Sequence, residues 1–345
     1  HIYIFSFGVH KRVIFTNTIL FNTVAHYYYI HTYTIFTHKR IFNLVPGTWY
    51  CSSYYLLKSE IKISKLNKSA LLPDIMHRIK HLARHLSSAA AQRKPVCLVL
   101  GAGRGIGGNV AQKFANNGFH AVLIRRSDAQ GLKELVDNIK EEGNDASGYL
   151  VNAVEDSAIE DLIKRVETDI GPIDVAVYNL GAQIGNVPLE KTPKKAFERG
   201  WQLGCYGLFR LAQSVLPLMV QRGNGTLLVT SATSAVRGNA GQHSHAAAMG
   251  GRRMLCQTLN AEFAKSNIHV SHIVVDGAVD APDTLGKMLG PELFQKMREF
   301  KGGEHDGLLV PSSMAETYWH LHQQHRSAWT FEIDLRSYSD KAWWN

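Results

Sequence analysis

From residue 96 to the end of the chain, short apolar, β-branched runs alternate with longer segments whose apolar positions recur every three or four residues. This alternation constrains the fold more than any other feature, because it is the pattern of a parallel sheet covered on both faces by helices. The runs are 96–100, 121–124, 148–151, 175–178, 226–230, 270–275 and 328–333, which predicts seven strands. Between them, Leu132, Leu135, Val136 and Ile139, then Ile159, Leu162, Ile163 and Val166, mark out helical faces. Right-handed crossovers turn such a series into a doubly wound α/β fold, a seven-stranded parallel sheet with helices on both faces, whose ligand crevice lies beyond the carboxyl ends of the strands. No Pro/Ser-rich linker divides the segment, so residues 95–345 are expected to form one domain.

The formal charge of +9 does not belong to this body. Residues 1–95 hold 13 Lys and Arg against 2 acids, Glu60 and Asp74, and the remainder holds 25 against 27. The basic balance therefore reports a leading segment, which argues against a nucleic-acid-binding face. Residues 1–75 contain no Met and no lasting period, and are expected to be disordered, an upstream region read in frame ahead of Met76. The uncharged stretch 13–36 is long enough for a bilayer, but Thr16, Asn17, Thr18, Asn22, His26, His31 and Thr32 interrupt it, and no membrane segment is expected. Residues 76–94 are basic, Ser/Ala-rich and free of acids, the composition of a mitochondrial transit peptide. A protein starting at Met76 is thus expected in the mitochondrial matrix; the alternative is a basic arm on a cytoplasmic protein. Cys51, Cys97, Cys205 and Cys256 show no metal-ligand spacing and read as buried thiols of a reducing compartment.

The first run is followed by Gly101, Gly103, Arg104, Gly105, Ile106 and Gly107, and then by a helical pattern. Glycines at such a strand-to-helix corner let the backbone approach a pyrophosphate, while the helix presents unpaired N–H groups to it. A plain structural turn is the alternative for the glycines alone; between a buried strand and a helix they point to a dinucleotide, and the fold is of the Rossmann type. The second run ends in Arg125 and Arg126, where an acid would serve the 2′-hydroxyl of NAD. Two guanidinium groups, with Arg104 beside them, suit a 2′-phosphate, so NADP(H) is expected in preference to NAD(H); ordinary solvated arginines are the alternative.

Gly101, Gly105 and Gly107, with Asn179 and Gly181 after the fourth run, resemble the motifs of the short-chain dehydrogenase/reductase family over nearly all of residues 96–345. The resemblance places Asn152 near the adenine, and Gly277 at the family's Pro-Gly, with Asp276 in the place of Pro. It also implies a Tyr proton donor, a Lys four residues later, a Ser thirteen before the Tyr and an Asn in the preceding helix. This chain has His245, Met249, Ala232 and Gly204 at those positions, and no Tyr lies between Ser231 and Lys265. The stretch 231–241 and the ending Trp329 to Arg336 resemble a divergent branch that often lacks the Tyr as well.

A phenol works near neutral pH when an ammonium stabilises its phenolate, and Met249 brings no charge. His245 has an ordinary pKa suited to proton transfer, and Ser231, Thr233 or Ser234 offer hydrogen bonds, although alternation turns Ser231 and Thr233 away from the face of Ala232. The alternative for His245, and for His243, is a helix-start histidine with no part in chemistry. Arg253 and Arg336 read as structural. Residues 281–310, with Leu285, Met288, Leu289, Leu293, Phe294 and Met297, read as an apolar lid or a small helical pair over the substrate, or as a subunit contact. The expectation is an NADP(H)-binding oxidoreductase of an apolar carbonyl or alcohol with an atypical site; the alternative is a catalytically silent NADPH sensor or scaffold. Long apolar helices near 201–218 and 246–263 imply, through the resemblance, a homo-oligomer.

Overall fold

The computed structural model describes the backbone of residues 2–6, 12–20, 28–37 and 40–44, and residues 93–181, 185–302 and 306–344. The chain divides into two units, His1–Ser69 and Ala70–Asn345. In the first, β1 (Ile2–Ser6), β2 (Arg12–Leu20), β3 (Tyr28–Thr37) and β4 (Arg40–Leu44) pair in order as an antiparallel sheet. The sequence reading placed no ordered element there; the β-branched and aromatic residues of these runs are the ones a strand accepts. Cys51 and the basic segment 76–92 lie outside the described residues, and so do the expectations attached to them.

The second unit runs β5 (Val96–Leu100), α1 (Ile106–Asn116), β6 (His120–Arg125), α2 (Ala129–Glu141), β7 (Ala146–Leu150), α3 (Ala158–Asp169) and β8 (Ile173–Tyr178). Next come α4 (Lys194–Trp201), a π-helical turn at Gln202–Tyr206, α5 (Gly207–Arg222), β9 (Gly225–Ala232) and α6 (His243–Phe263). The chain ends with β10 (Ile268–Asp276), α7 (Pro291–Lys301), α8 (Pro311–Gln323) and β11 (Glu332–Arg336). The seven strands from β5 to β11 form one parallel sheet in the order β11-β10-β9-β8-β5-β6-β7. The order reverses between β5 and β8, so a crevice opens at their carboxyl ends, where Gly101 and Asn179 leave the sheet.

Both faces of this sheet are covered, which is why its strands read as unbroken apolar runs. Val96, Leu98 and Leu100 pack with Ile159, Leu162, Leu208, Leu211 and Cys256 on one face. Cys97 and Val99 pack with Val110, Phe114, Leu132, Ile139 and Tyr318 on the other. Each aliphatic side chain so buried stabilises the fold by about 1.5–3 kcal/mol. The helical stretch Lys194–Arg222 has the length and apolar composition to cross a membrane. Its Leu208, Leu211, Val215, Leu216 and Met219 are instead buried against the sheet.

The last strand departs from the sequence reading: β11 spans Glu332–Arg336, and residues 328–331 lie outside it. Trp329 and Thr330 are held elsewhere. The Gln324 side chain accepts from the Thr330 amide (2.8 Å) and donates to its hydroxyl (2.8 Å), and Trp329 stacks on His269 with ring centroids 4.9 Å apart.

Candidate functional site

The corner between β5 and α1 is closed tightly on its own backbone. Gly101 has φ +93°, and a Cβ there would stand 2.6 Å from the Asn179 carbonyl oxygen; one at Gly107 would run into the Gly101 carbonyl. Only glycine meets both requirements. The Asn179 side chain donates to the Gly101 carbonyl (2.9 Å), and the Gly101 and Ala102 amides donate to the Ile124 carbonyl at the end of β6. Ile106 opens α1 and packs partly into the core, and Gly105, at the helix cap, offers no side chain to the first N–H groups. The Gly108 amide donates to the Gly103 carbonyl (3.0 Å), and a helix start without a side-chain cap leaves the Ile106 and Gly107 amides for an anion.

Beside this corner lies a cluster that sequence spacing did not reveal. Asp283, in the segment after β10, accepts from the Arg104 backbone N–H (2.8 Å), from the Arg104 guanidinium (3.1 and 3.2 Å) and from Arg125 (2.7 Å). Arg125 also pairs with Asp128 at 2.9 Å, while Asp128 caps α2 through the Gly131 amide. The Asp283 side chain is only 6 % exposed. Burial alone would raise its carboxyl, but the Arg104 amide, the Arg104 guanidinium and the Arg125 charge hold it below the ordinary carboxylate range. Gly103 and Gly105 are covered from the same side: Cβ atoms there would stand 3.2 Å from Asp283 Oδ2 and 2.8 Å from the Ala281 Cβ. Arg126 is exposed, so Arg104 and Arg125 converge without it.

The other expected cofactor residues are scattered around the crevice. The Asn152 amide donates to Glu155 (2.9 Å). Gly181 borders open space. Gly277 follows β10 with φ +148°, and a Cβ there would stand 3.4 Å from Leu309 and 3.5 Å from Asp340. Asp276, which stands for the family's Pro, turns to the chain's end and accepts from the Trp343 amide (3.0 Å).

At the other end of the crevice, the four positions that the resemblance made important are packed shut. A Cβ on Gly204 would stand 2.5 Å from the Ala248 Cβ and 3.2 Å from Met249 Cε. Met249 is buried, with its sulfur 3.8 Å from Ser231 Oγ, and Ala232 ends β9. Ser231 therefore faces α6. His245 is 8 % exposed and its Nδ1 has no hydrogen-bond partner. Burial, with the charge of Arg252, pushes the ring down to about 4, so it is neutral at pH 7.

Arg252, which the sequence reading passed over, lies at the centre of this packing and is 2 % exposed. Its guanidinium donates to the carbonyls of Gly204, Thr230, Leu180 and Leu203 and lies 5.1 Å from the centre of the Tyr178 ring. Tyr178 in turn donates its hydroxyl to the Leu203 carbonyl. One buried cation thus ties β9, the loop after β8 and the π-helical turn together. Its position on the buried stripe of α6, with His245, Met249, Cys256 and Leu259, was the available signal.

Of the readings open for residues 281–310, a lid, a small helical pair or a subunit contact, residues 282–301 have the helical form. A π-helical turn at Pro282–Gly286 leads into a short turn of helix at Lys287–Leu289 and then into α7. Phe294 packs on Gly286, under Arg298, which pairs with Asp280 at 2.7 Å; Met288 and Leu293 are exposed. Arg253 makes a two-pronged pair with Glu332 (2.6 and 2.8 Å), and Arg336 lies 3.8 Å from the Trp344 ring centre, both structural uses. Cys97, Cys205 and Cys256 are free and buried, and burial pushes each thiol up.

Residues 95–285 match the short chain dehydrogenase family. The chain is 28 % identical over 200 residues to 7alpha-hydroxysteroid dehydrogenase of Escherichia coli (strain K12), covering 58 % of this chain and 76 % of that protein. The crystal structure of a short-chain dehydrogenase from Rhodopseudomonas palustris superposes with a TM-score of 0.59 at 29 % identity, covering 71 % of this chain and all of that one. A metagenomic short-chain oxidoreductase in complex with NADP shares the fold, with a TM-score of 0.59 at 20 % identity over 71 % of this chain and 97 % of that one.

Proposed function

Because the chain belongs to the short-chain dehydrogenase family, we propose that it binds NADP(H) at the corner after β5 and does so without the family's Tyr and Lys chemistry. The observation that carries this reading is the seat of the Asp283 carboxylate, gripped by one backbone N–H and two guanidinium groups. Groups that hold a carboxylate in this way are matched to a phosphate oxygen as well. Gly101, Gly103, Gly105 and Gly107 would hold the pyrophosphate with the start of α1, Arg104 and Arg125 the 2′-phosphate, and Asn179, Gly181 and Gly277 would border the rest of the cofactor. Bound there, the dinucleotide would supply or accept hydride.

The chain's own residues do little to move a proton near that hydride. Met249 has no charge, Gly204 has no side chain, and His245 is held neutral by burial. This favours a cofactor-holding sensor or scaffold over a fast dehydrogenase. The second reading is slow reduction of an apolar carbonyl, or oxidation of the corresponding alcohol, with His245 as proton carrier; the observation in its favour is the unpartnered His245 Nδ1.

Two measurements test these readings. Replacing Arg104 and Arg125 together by Ala is expected to weaken NADPH by about tenfold or more while leaving NADH nearly unchanged; an equal loss for both nucleotides overturns the 2′-phosphate assignment. With NADPH and a panel of aldehydes and ketones, no turnover is expected. Turnover that disappears in His245→Ala would install the second reading.

A further inference from the structure

The Asp283 contacts hold a second meaning, which rests on the NADP(H) reading. Arg104 and Arg125 already hold an anion from the chain itself, through Arg104 Nε and Nη2 and Arg125 Nη2, while the buried Arg125 Nη1 has no partner. Around this point the charges are Arg104, Arg125 and, at 3.7 Å from the carboxylate, Lys287, against Asp283, Asp128 and, further out, Glu134. A 2′-phosphate brought to the same guanidinium groups would meet the Asp283 carboxylate as a like charge, in a seat where Asp283 and Arg125 are buried and Arg104 is half exposed. A phosphate would compete with the carboxylate for the donors that the carboxylate uses.

The segment that carries Asp283 is fixed at its base and held at its tip by this contact. At the base, the Asp280 amide donates to the Leu309 carbonyl (2.9 Å) and the Leu309 amide to the Ala278 carbonyl (2.9 Å). Beyond Asp280, Ala281 and Pro282 lead into the π-helical turn, whose carboxylate reaches across to Arg104 and Arg125, 179 and 158 residues away in sequence. The Arg104 backbone N–H is part of the grip, so the seat overlaps the glycine corner as well as the arginine pair. Ala281 lies over Gly105 and Asp283 over Gly103.

We propose that Asp283 is a specificity-determining residue, a tethered carboxylate that competes with the 2′-phosphate for Arg104 and Arg125: either dinucleotide must lift the segment 281–289 off the glycine corner, and NADP(H) alone then gains the two freed guanidinium groups. NAD(H), which brings no 2′-phosphate, draws less advantage from freeing the two guanidinium groups. The acid therefore narrows the preference that the arginines create, and its removal widens that preference.

The test compares the full chain with Asp283→Asn, which keeps shape and loses charge, and with Asp283→Ala as a second variant. Dissociation constants for NADPH and NADH are measured on each, together with amide exchange of residues 282–289 without nucleotide. Removing the carboxylate is expected to tighten NADPH by about tenfold, to tighten NADH by clearly less, and to speed exchange in the segment. Unchanged or weaker NADPH binding in both variants, with the parent binding NADPH normally, overturns the competition and leaves the cofactor reading standing. If parent and variants all fail to bind either nucleotide, the cofactor reading has failed and the competition with it. Equal tightening of NADPH and NADH would make Asp283 a general cover of the corner, and the specificity role would be lost.

Discussion

Gly204 and Ala248 meet across two helices with no room between them: a Cβ on the glycine would stand 2.5 Å from that of the alanine. The resemblance read from the sequence would put the family's Asn at this glycine and its Lys at Met249. The space in which those side chains would work is filled by contact between α6 and the π-helical turn. Substituting Gly204→Asn is therefore expected to destabilise the protein by about 1–3 kcal/mol through overpacking, without creating turnover. A denaturant midpoint at or above that of the parent would show that the helices part easily and that the closure is not structural.

Arg252 holds its charge in the interior on carbonyl oxygens from four residues. Removing the guanidinium leaves several buried carbonyls without donors, each worth on the order of 1–3 kcal/mol. Arg252→Met is expected to lower stability by about 3 kcal/mol or more, read as a lower urea midpoint at an unchanged slope. Arg253→Met, which removes only a half-exposed pair with Glu332, is expected to cost about 1 kcal/mol or less. Equal effects of the two substitutions would contradict the central role of Arg252.

Acid weakens this fold before its carboxylates titrate. Burial pushes His245 and His272 down to about 4, against an ordinary value near 6.5. A base with a depressed folded pKa takes up its proton more readily when unfolded, so its stability contribution is full above pH 6.5 and is lost as pH falls towards 4. Each ring accounts for on the order of 3 kcal/mol across that window. Burial also lowers His269 and His322, in the same direction. Urea midpoints are expected to be flat above pH 7 and to fall steadily from pH 6.5 to 4, with a shallower fall in His272→Gln; a flat profile down to pH 4 would contradict this.

An aromatic face remains exposed on the helices α4, α5 and α6: Phe197, Trp201, Tyr206, Phe209 and Met254 are each more than two-fifths exposed, and the rings of Tyr206 and Phe209 stack at 6.2 Å. Exposed aromatic residues gathered on neighbouring elements are what an interface buries. The protein is expected to sediment as a homo-oligomer at micromolar concentration and Phe209→Glu to shift it towards monomer. A parent that sediments only as monomer removes this expectation.

The fold was legible because strands buried on both faces leave unbroken apolar runs, and residues 96–100 and 226–230 fall inside their strands for that reason. Residues 328–331 misled because Trp329 and Thr330 are good strand formers spent on other contacts, with His269 and Gln324. The glycine corner was legible because its requirements are local: Gly101 and Gly107 are set by neighbours on the same turn and by Asn179. Asp283 was not, since an ion pair across 158 residues leaves no mark in local spacing. His245 illustrates the remaining gap: its type suggested a proton carrier, and only its burial beside Arg252 reveals a ring held neutral.

The most direct test is an equilibrium titration of the unmodified chain with NADPH and with NADH, followed by cofactor fluorescence. Saturable binding of NADPH, tighter than NADH even with Asp283 in place, is the expected result. No measurable binding of either nucleotide, or NADH bound as tightly as NADPH, would contradict the assignment of Arg104 and Arg125 to the 2′-phosphate.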